Sequence, residues 1–257
     1  MQLQNRVAPD GAIFADPARG LLMGNRGGVL HDSRKQLTAR RWASKQWIAC
    51  ALTYKDRHET IMAPRRYTQL FFLDEATALA AGHRPCALCR RADFLRFMEG
   101  WQRLHGLARL PKVAEVDAVL HAERLGAGKG KVTFAGRLGD LPPGVMVAFP
   151  RDCLAMEQRI VSPSEAAQHG VARSELRVHA VDLVLPPHWG PGTSKTFLVF
   201  GGKLLPWSPR GYGRPAEADP SLIVQVLTPA SVVKVIAAGY QPMLHPSALV
   251  MSAARSA

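Results

Sequence analysis

The 257-residue chain has few cysteines, no long apolar segment and a shortage of acidic residues. Its four cysteines are too few for the disulfide framework of a small secreted protein. No run approaches the roughly 18 apolar residues of a membrane helix, and the first residues lack the apolar stretch of a signal peptide. We therefore expect a cytoplasmic protein without a membrane partner. These features leave the oligomeric state open.

The shortage of acids leaves a formal net charge of +13, from 33 Lys and Arg against 20 Asp and Glu. Such a balance favours polyanionic partners, because clustered cations release counterions from a phosphate backbone. The densest basic stretch, the basic segment of residues 26–45, has Asp32 as its single acid and Trp42 within it. A solvated loop is the alternative interpretation, but we predict contact with nucleic-acid phosphates, DNA favoured. The predicted contact residues are Arg26, Arg34, Lys35, Arg40, Arg41 and Lys45.

The most specific motif is a pair of thiols two residues apart, Cys86 and Cys89. A structural zinc site needs four tetrahedral ligands, and a Cys-x-x-Cys turn directs two sulfurs at one point. The neighbouring Arg84, Arg90 and Arg91 would favour the thiolate forms. A redox pair is the rival interpretation, but the motif lacks a βαβ context. The motif therefore predicts bound Zn²⁺.

Secondary-structure signals place this motif after a short helix. Asp74 is a suitable N-cap, and Gly82 is a natural C′ residue for a helix over residues 75–81. A second helix is predicted over residues 92–105 from its apolar spacing. Upstream, we expect a strand at residues 27–31 and a hairpin of residues 46–54 and 58–62.

After Pro111 the pattern changes to a predominance of strands. A helix is expected at residues 113–125, and a later helix starts at Thr228 and Pro229 and ends at Gly239. The composition predicts an α+β fold with a zinc module at residues 20–110. A β-rich barrel or sandwich with a C-terminal helix follows at 111–246, and 247–257 form a loosely ordered tail. The expected strands are 131–134, 145–149, 176–185, 196–200 and 222–227.

Residues 71–90, which run from Phe71 through a helix into Cys86-Ala-Leu-Cys89, resemble the zinc-binding domain of the Ada DNA-repair family. The resemblance covers about residues 45–92. It implies four zinc-binding cysteines, the first of which accepts a methyl group from a DNA phosphotriester. Cys50 occupies the place of that first cysteine, whereas Tyr54 stands where the family has its second.

A fourth ligand must therefore come from another residue, and two histidines compete for the position. His31 ends the strand expected at residues 27–31, and a histidine there would give an ordinary Cys₃His site. His58 lies nearer the family's spacing but on the expected hairpin turn. We favour His31, so the predicted ligands are Cys50, Cys86, Cys89 and His31. His83 stands where the family has an aromatic residue and is expected to pack.

Three functions follow as hypotheses. The leading one is a zinc-containing DNA-binding protein with a regulatory or accessory role, without enzymatic activity, in which Cys50 is a structural ligand. A DNA-repair methyl acceptor that uses Cys50 and a zinc-stabilised protein-interaction scaffold are the alternatives. No pair of carboxylates or Ser/His/Asp order indicates a hydrolase, and residues 126–131 lack the spacing of a phosphate-binding P-loop.

Overall fold

The structure is a computed structural model that describes residues 2–55, 59–126, 130–149 and 196–253. Within these ranges the chain forms two β-sheets and five α-helices, which confirms the α+β class. The strand expected at residues 176–185 lies outside the described residues. Among the residues described, no helix is both long and apolar enough to cross a membrane.

The first sheet has six strands in the order β2-β1-β5-β3-β4-β6. The pairs β1–β5 and β4–β6 are parallel, and the others are antiparallel. The expected hairpin is wrong, because β4 pairs with β3 and β6, and Met62 lies in a turn with a positive φ of 52°. The strands are β1 (Gln4–Val7), β2 (Ile13–Ala15), β3 (Leu22–Asn25), β4 (Ile48–Ala51), β5 (Leu70–Phe72) and β6 (Arg84–Pro85).

The helices before residue 125 follow the sequence signals closely. Asp74 caps the first helix by accepting a 2.9 Å hydrogen bond from the Thr77 amide, as predicted. Gly82 has a φ of +84°, a left-handed conformation that favours glycine and ends this helix. The three helices are α1 (Glu75–Ala80), α2 (Arg91–Leu104) and α3 (Val113–Arg124).

The second sheet has seven strands, and all of its pairs are antiparallel. The strands expected at 145–149, 196–200 and 222–227 are confirmed, whereas the one expected at 131–134 lies at 134–137. The order is β11-β10-β9-β8-β13-β7, with β12 beside β10. The strands are β7 (Phe134–Arg137), β8 (Met146–Ala148), β9 (Thr196–Phe200), β10 (Lys203–Ser208), β11 (Gly211–Tyr212), β12 (Ala216–Glu217) and β13 (Ile223–Val226).

The C-terminal part confirms one helix and adds another. Helix α4 (Ala230–Ala237) follows Pro229, but Thr228 does not cap it, since its hydroxyl accepts a 2.9 Å hydrogen bond from the Met146 amide. The tail expected to be loosely ordered begins instead with helix α5 (Pro246–Ala253).

Helix α1 lies between the two sheets. All six of its residues are buried, and they pack into the apolar cores of both sheets. Leu79 belongs to the apolar core that α2, α3 and α4 form with the second sheet, and Ala78 packs with Phe72 in the core of the first sheet. Ala76 contacts a third cluster that includes Trp207 of β10. The boundary expected near residue 111 therefore lies in an exposed connection, while the apolar core continues across it.

Candidate functional site

Cys50 and the distant pair Cys86 and Cys89 lie together at one edge of the first sheet. The Sγ atoms of Cys50, Cys86 and Cys89 all lie within 4.8 Å of one another. Cys50 and Cys86 are buried, and Cys89 is partly exposed. We refer to these three residues as the cysteine cluster.

The register of two short strands brings the cysteines together. β4 runs parallel to β6, with Ala49 beside Pro85, so Cys50 and Cys86 are the next residues along each strand. The Cys86 amide donates a 2.9 Å hydrogen bond to the Ala49 carbonyl, which continues this pairing by one residue. The turn after Cys86 then returns Cys89 to the same place, immediately before α2.

Backbone amides, not arginines, donate to the sulfurs. The Leu88 amide lies 3.4 Å from Cys86 Sγ, and the Ala51 amide lies 3.4 Å from Cys89 Sγ. Donors of this kind stabilise the thiolate form, since a hydrogen bond to the charged form favours it. The turn at Leu88 and the end of β4 at Ala51 therefore each supply one fixed amide dipole to a sulfur atom.

The arginines expected to favour the thiolates have other partners. Arg84 forms two 2.8 Å hydrogen bonds with Asp117 of α3, and both side chains are buried. Arg90 pairs with Glu75 at 2.9 Å and with Asp93 at 2.7 Å. Their positive charges are thus compensated by carboxylates, which is a structural role that the sequence pattern did not indicate.

The pKa values of the three thiols are shifted in different directions. The hydrogen bond from Cys50 lowers the pKa of Cys86 to about 5, and amide donors contribute in the same direction. The same hydrogen bond and burial raise the pKa of Cys50. Burial raises the pKa of Cys89 as well. A bound cation would favour the thiolate form of all three, because sulfur ligands of a metal are deprotonated.

The histidine favoured as the fourth ligand does not join the cluster. The sheet strand ends at Asn25, and the chain bends before His31, which therefore lies beyond the sheet. Its Nδ1 atom is 2.6 Å from the Thr68 hydroxyl, and its Nε2 atom is 3.3 Å from the Ala63 carbonyl. His31 is a buried, hydrogen-bonded residue of the loop. His58, the other candidate, lies outside the described residues.

A cavity of about 420 Å³ lies beside the cysteine cluster. All three cysteines line it, together with Tyr54, the residue at the family's second cysteine position. Across the cavity the Tyr67 hydroxyl donates a 3.0 Å hydrogen bond to Glu59. Burial, this hydrogen bond and the nearby thiols raise the pKa of Tyr67 to about 12. The cluster can therefore hold a metal ion with three sulfurs and leave one coordination position toward the cavity.

The basic segment divides into buried and exposed parts. Arg26 is buried, whereas Arg34, Arg40, Arg41 and Lys45 are exposed. Lys35, which is partly buried, lies in a turn with a φ of +63°. The structure brings Arg26, Arg40 and Arg41 together at a second cavity, of about 710 Å³.

Two residues that the sequence did not indicate complete this second cavity, the arginine pocket. It is lined by Arg26, Arg40, Arg41, Arg124 and Lys131, with Asp10 as the one acid among its lining residues. Arg26 and Arg124 each place the guanidinium carbon 4.0 Å from the centroid of the Trp47 ring. Cations stack favourably on an indole face, so Trp47 positions both buried charges.

Carbonyl oxygens provide most of the hydrogen bonds to these cations. Arg26 donates to Gly11 O at 2.8 Å and Arg124 to Gly82 O at 2.7 Å, while the Lys131 ammonium donates to the Ala80 carbonyl. Within the described residues, no carboxylate forms an ion pair with any of the three. The close approach of Arg124 also requires glycine at position 82, since a Cβ there would lie 2.5 Å from Arg124 Cδ.

Burial shifts the titration of these groups, and the carboxylates of Asp10 near Arg26 and Lys131 and of Asp117 near Arg124 offset the shifts only in part. Burial and the neighbouring arginine lower the pKa of Arg26 to about 9, and burial lowers that of Arg124 to about 9 as well. Burial lowers the pKa of Lys131 to about 7, and the repulsion of Arg26 and Arg124 acts in the same direction. His83, buried against Trp47 and Phe72, has a pKa well below its ordinary value, mainly because of burial.

Sequence signals for the missed residues are weak. Arg124 falls at the end of a predicted helix, where a basic residue is ordinary, and Lys131 belongs to a glycine-rich turn. The antiparallel bridge between Leu125 and Lys131 brings Lys131 beside the end of α3, so that Arg124 and Lys131 line the same pocket. In comparisons with known proteins, no family model matches this chain, and neither a curated protein nor a solved structure matches it.

Proposed function

We propose that the protein is a zinc-stabilised nucleic-acid-binding protein, with DNA as the favoured partner and a regulatory or accessory role. The observation that carries the proposal is the convergence of Cys50, Cys86 and Cys89 on one point beside a face with uncompensated arginines. Zinc bonds to sulfur of about 2.3 Å put tetrahedral thiolates about 3.8 Å apart. Sulfur atoms within 4.8 Å of one another are compatible with that geometry.

Zinc would act here as a structural centre. It would join β4, β6 and the start of α2, because Cys50 lies in β4, Cys86 directly follows β6 and Cys89 lies just before α2. The backbone amides of Leu88 and Ala51 already donate to two of the sulfurs. The likeness of residues 71–90 to the Ada zinc-binding domain supports zinc as the metal. The fourth ligand in this proposal is not His31 but a donor that reaches the zinc ion from the cavity.

Nucleic-acid binding is supported by the exposed rim of the arginine pocket. Arg40 and Arg41 are exposed beside Trp42, and Asp10 is the one acid among the described residues that line the pocket. Lys and Arg contacts to phosphates release counterions, so binding weakens linearly on a log–log plot as salt rises.

The test is the salt dependence of duplex DNA binding by the zinc-loaded full chain. Each lost phosphate contact lowers the log–log slope by about 0.9, so the double variant Arg40→Ala/Arg41→Ala should lose up to about two units. Arg103→Ala/Arg109→Ala removes the same charge from exposed positions outside the pocket and serves as the matched control. A salt-independent affinity, or no binding at low salt, would favour the protein-interaction scaffold instead.

A methyl-acceptor activity is the second candidate, because Cys50 lines a cavity and is not sealed in the core. In that reaction the Cys50 thiolate forms a bond to the methyl carbon of a DNA phosphotriester, and the carbon–oxygen bond breaks to leave a phosphodiester anion. The burial of Cys50 argues against this activity, because Cys50 is only 7% exposed and Cys89 is the more accessible cysteine. We propose that Cys50 is a structural ligand.

Mass spectrometry of the Cys50 peptide distinguishes the two roles. Zinc-loaded protein incubated with DNA that carries methyl phosphotriesters should show no gain in mass at this peptide. A stoichiometric gain of one methyl group would establish the repair activity.

A further inference from the structure

The arginine pocket has the composition of a ligand site and not of a structural ion-pair network. Arg26 is 3% and Arg124 is 1% exposed, so both guanidinium groups have lost nearly all of their water. Among the described residues nothing accepts a hydrogen bond from Arg124 Nε. Burying charge is costly unless it is paired and hydrogen-bonded. The protein therefore maintains an arrangement that an anion would stabilise.

Elsewhere in the same chain, buried arginines are paired. Arg84 has Asp117 and Arg90 has Glu75, each within 2.9 Å. The contrast shows that this fold can place a carboxylate against a buried guanidinium where the role is structural. At the arginine pocket the single acid is Asp10, which accepts a hydrogen bond from the Ala12 amide and lines the rim with the cations.

The size and lining of the pocket indicate the class of ligand. Sites for small ligands and cofactors are typically about 300–1,000 Å³, and this cavity measures about 710 Å³. That volume exceeds what an inorganic anion fills. Trp42, Trp47 and Ile13 give the lining apolar surface beside the cations, which suits a ring system attached to an anionic group. Planar arginine forks match phosphate oxygens in particular.

We propose that the arginine pocket binds the phosphate monoester of a nucleotide-sized ligand. Arg41 and Lys131 contact the phosphate oxygens, and the buried Arg26 and Arg124 supply positive electrostatic potential around them. A free mononucleotide and the 5′-phosphate end of a nucleic-acid strand present the same group. The second source rests on the proposed function, whereas the first does not. The pocket is separate from the cysteine cluster, whose cavity shares none of its lining residues.

The experiment measures binding to the zinc-loaded full chain by tryptophan fluorescence, which Trp42 and Trp47 at the pocket make sensitive to a ligand. The probes are inorganic phosphate, a purine mononucleotide, and one short oligonucleotide with either a 5′-phosphate or a 5′-hydroxyl end. The variants are Arg41→Gln and Lys131→Gln, with Arg109→Gln as the control because Arg109 is exposed, does not line the pocket and lies outside the basic segment.

We expect phosphate and the mononucleotide to bind, the mononucleotide more tightly. Arg41→Gln and Lys131→Gln should each weaken binding by about tenfold or more, since a charge-assisted hydrogen bond contributes about 1.5–3 kcal/mol. Arg109→Gln should bind as the unaltered protein does. Tighter binding of the 5′-phosphorylated strand than of its 5′-hydroxyl counterpart identifies a strand end as the source, and equal binding of the two strands identifies the free nucleotide.

Two results would overturn the proposal. One is the absence of binding by both phosphate and the mononucleotide at millimolar concentration. The other is equal affinity in Arg41→Gln and Arg109→Gln, a comparison that remains valid if Lys131→Gln fails to fold, because Arg41 and Arg109 are exposed. Duplex DNA that binds while these small probes do not would leave the proposed function intact and reject the pocket. Small probes that bind without DNA would do the reverse.

Discussion

The cysteine cluster and the arginine pocket both lie at strand β4, yet ligands of opposite charge would stabilise them. Cys50 belongs to β4 and lines the first cavity, while Trp47 immediately before β4 stacks with the cations of the second. The cluster gathers sulfur donors that a cation would satisfy. The pocket gathers buried cations that an anion would satisfy. Between them, Arg84 and Asp117 show a buried charge already satisfied within the fold.

This difference teaches how to interpret a buried arginine. A guanidinium that meets a carboxylate inside the protein needs nothing further, as at Arg84. One that meets carbonyl oxygens, the His121 ring nitrogen and an indole, as at Arg124, has no carboxylate at ion-pair distance among the described residues and retains a charge that a partner from solution can use. The three predictions below test this contrast, from the largest expected effect to the smallest.

Removing a thiol should have the largest effect, because it takes away the proposed zinc ion as well as a side chain. We expect Cys86→Ser to lose zinc and to lower the free energy of unfolding by an amount on the order of 10 kcal/mol, comparable to the stability of a whole domain. Elemental analysis and chemical unfolding measure the two effects.

His31→Asn is the matched control for that variant. His31 bonds to Thr68 and Ala63 and not to the cysteines, so the variant should keep one zinc per chain. Loss of zinc from His31→Asn, or its retention by Cys86→Ser, would contradict the proposed centre.

Breaking the satisfied ion pair should have an intermediate effect. Asp117→Asn leaves the 1% exposed Arg84 without a counter-charge, and the loss of one partner of a buried pair costs about 3–5 kcal/mol. Asp93→Asn is the control, because Arg90 keeps Glu75; it should cost about 1 kcal/mol or less. Urea unfolding of both variants makes the comparison, and equal losses would refute the distinction.

Removing an unsatisfied cation should have the smallest effect and should depend on pH. The pKa of Lys131 is lowered to about 7 in the folded protein from its ordinary 10.5. Between these values the unfolded chain binds the extra proton, so stability should rise with pH, by up to about 1.4 kcal/mol per pH unit. Below pH 7 the penalty is fully present.

Lys131→Met should abolish this part of the pH dependence. Unfolding of the two zinc-loaded proteins between pH 7 and 9, in a buffer free of phosphate, isolates Lys131 by difference, because Asp10, Arg26 and Arg124 are common to both. Lys112→Met, a change at an exposed lysine, should keep the slope of the unaltered chain. A slope that is the same in all three proteins would show that Lys131 titrates normally.

The sequence predicts local features of this fold well. Asp74 and Gly82 delimit α1 because capping and left-handed conformations depend on single residues. Cys86 and Cys89 meet because their turn is local. By contrast, the contact of Cys50 with Cys86 depends on a parallel pairing between β4 and β6, and β6 has only two residues. No periodicity can emerge from so short a strand.

The histidine error has the same origin. Shifting the strand from residues 27–31 to Leu22–Asn25 moves His31 off the sheet and away from the cysteines. The arginine pocket was partly visible, since Arg26, Arg40 and Arg41 come from one basic segment. Arg124 and Lys131 come from beyond the expected boundary at residue 111, and only tertiary packing reveals that they line the same pocket.

The buried position of α1 has a consequence for how the chain emerges during synthesis. The cysteine cluster is complete once Cys89 has been made, but Leu79, Phe97 and Trp101 lie against the second sheet and α4. At about 5–20 residues per second, the chain from Trp101 to Ala248 takes on the order of 10 s to appear. During that interval the apolar sides of α1 and α2 are exposed to solvent or bound by a chaperone. The nascent N-terminal half is therefore accessible to proteases until β13 and α4 cover it.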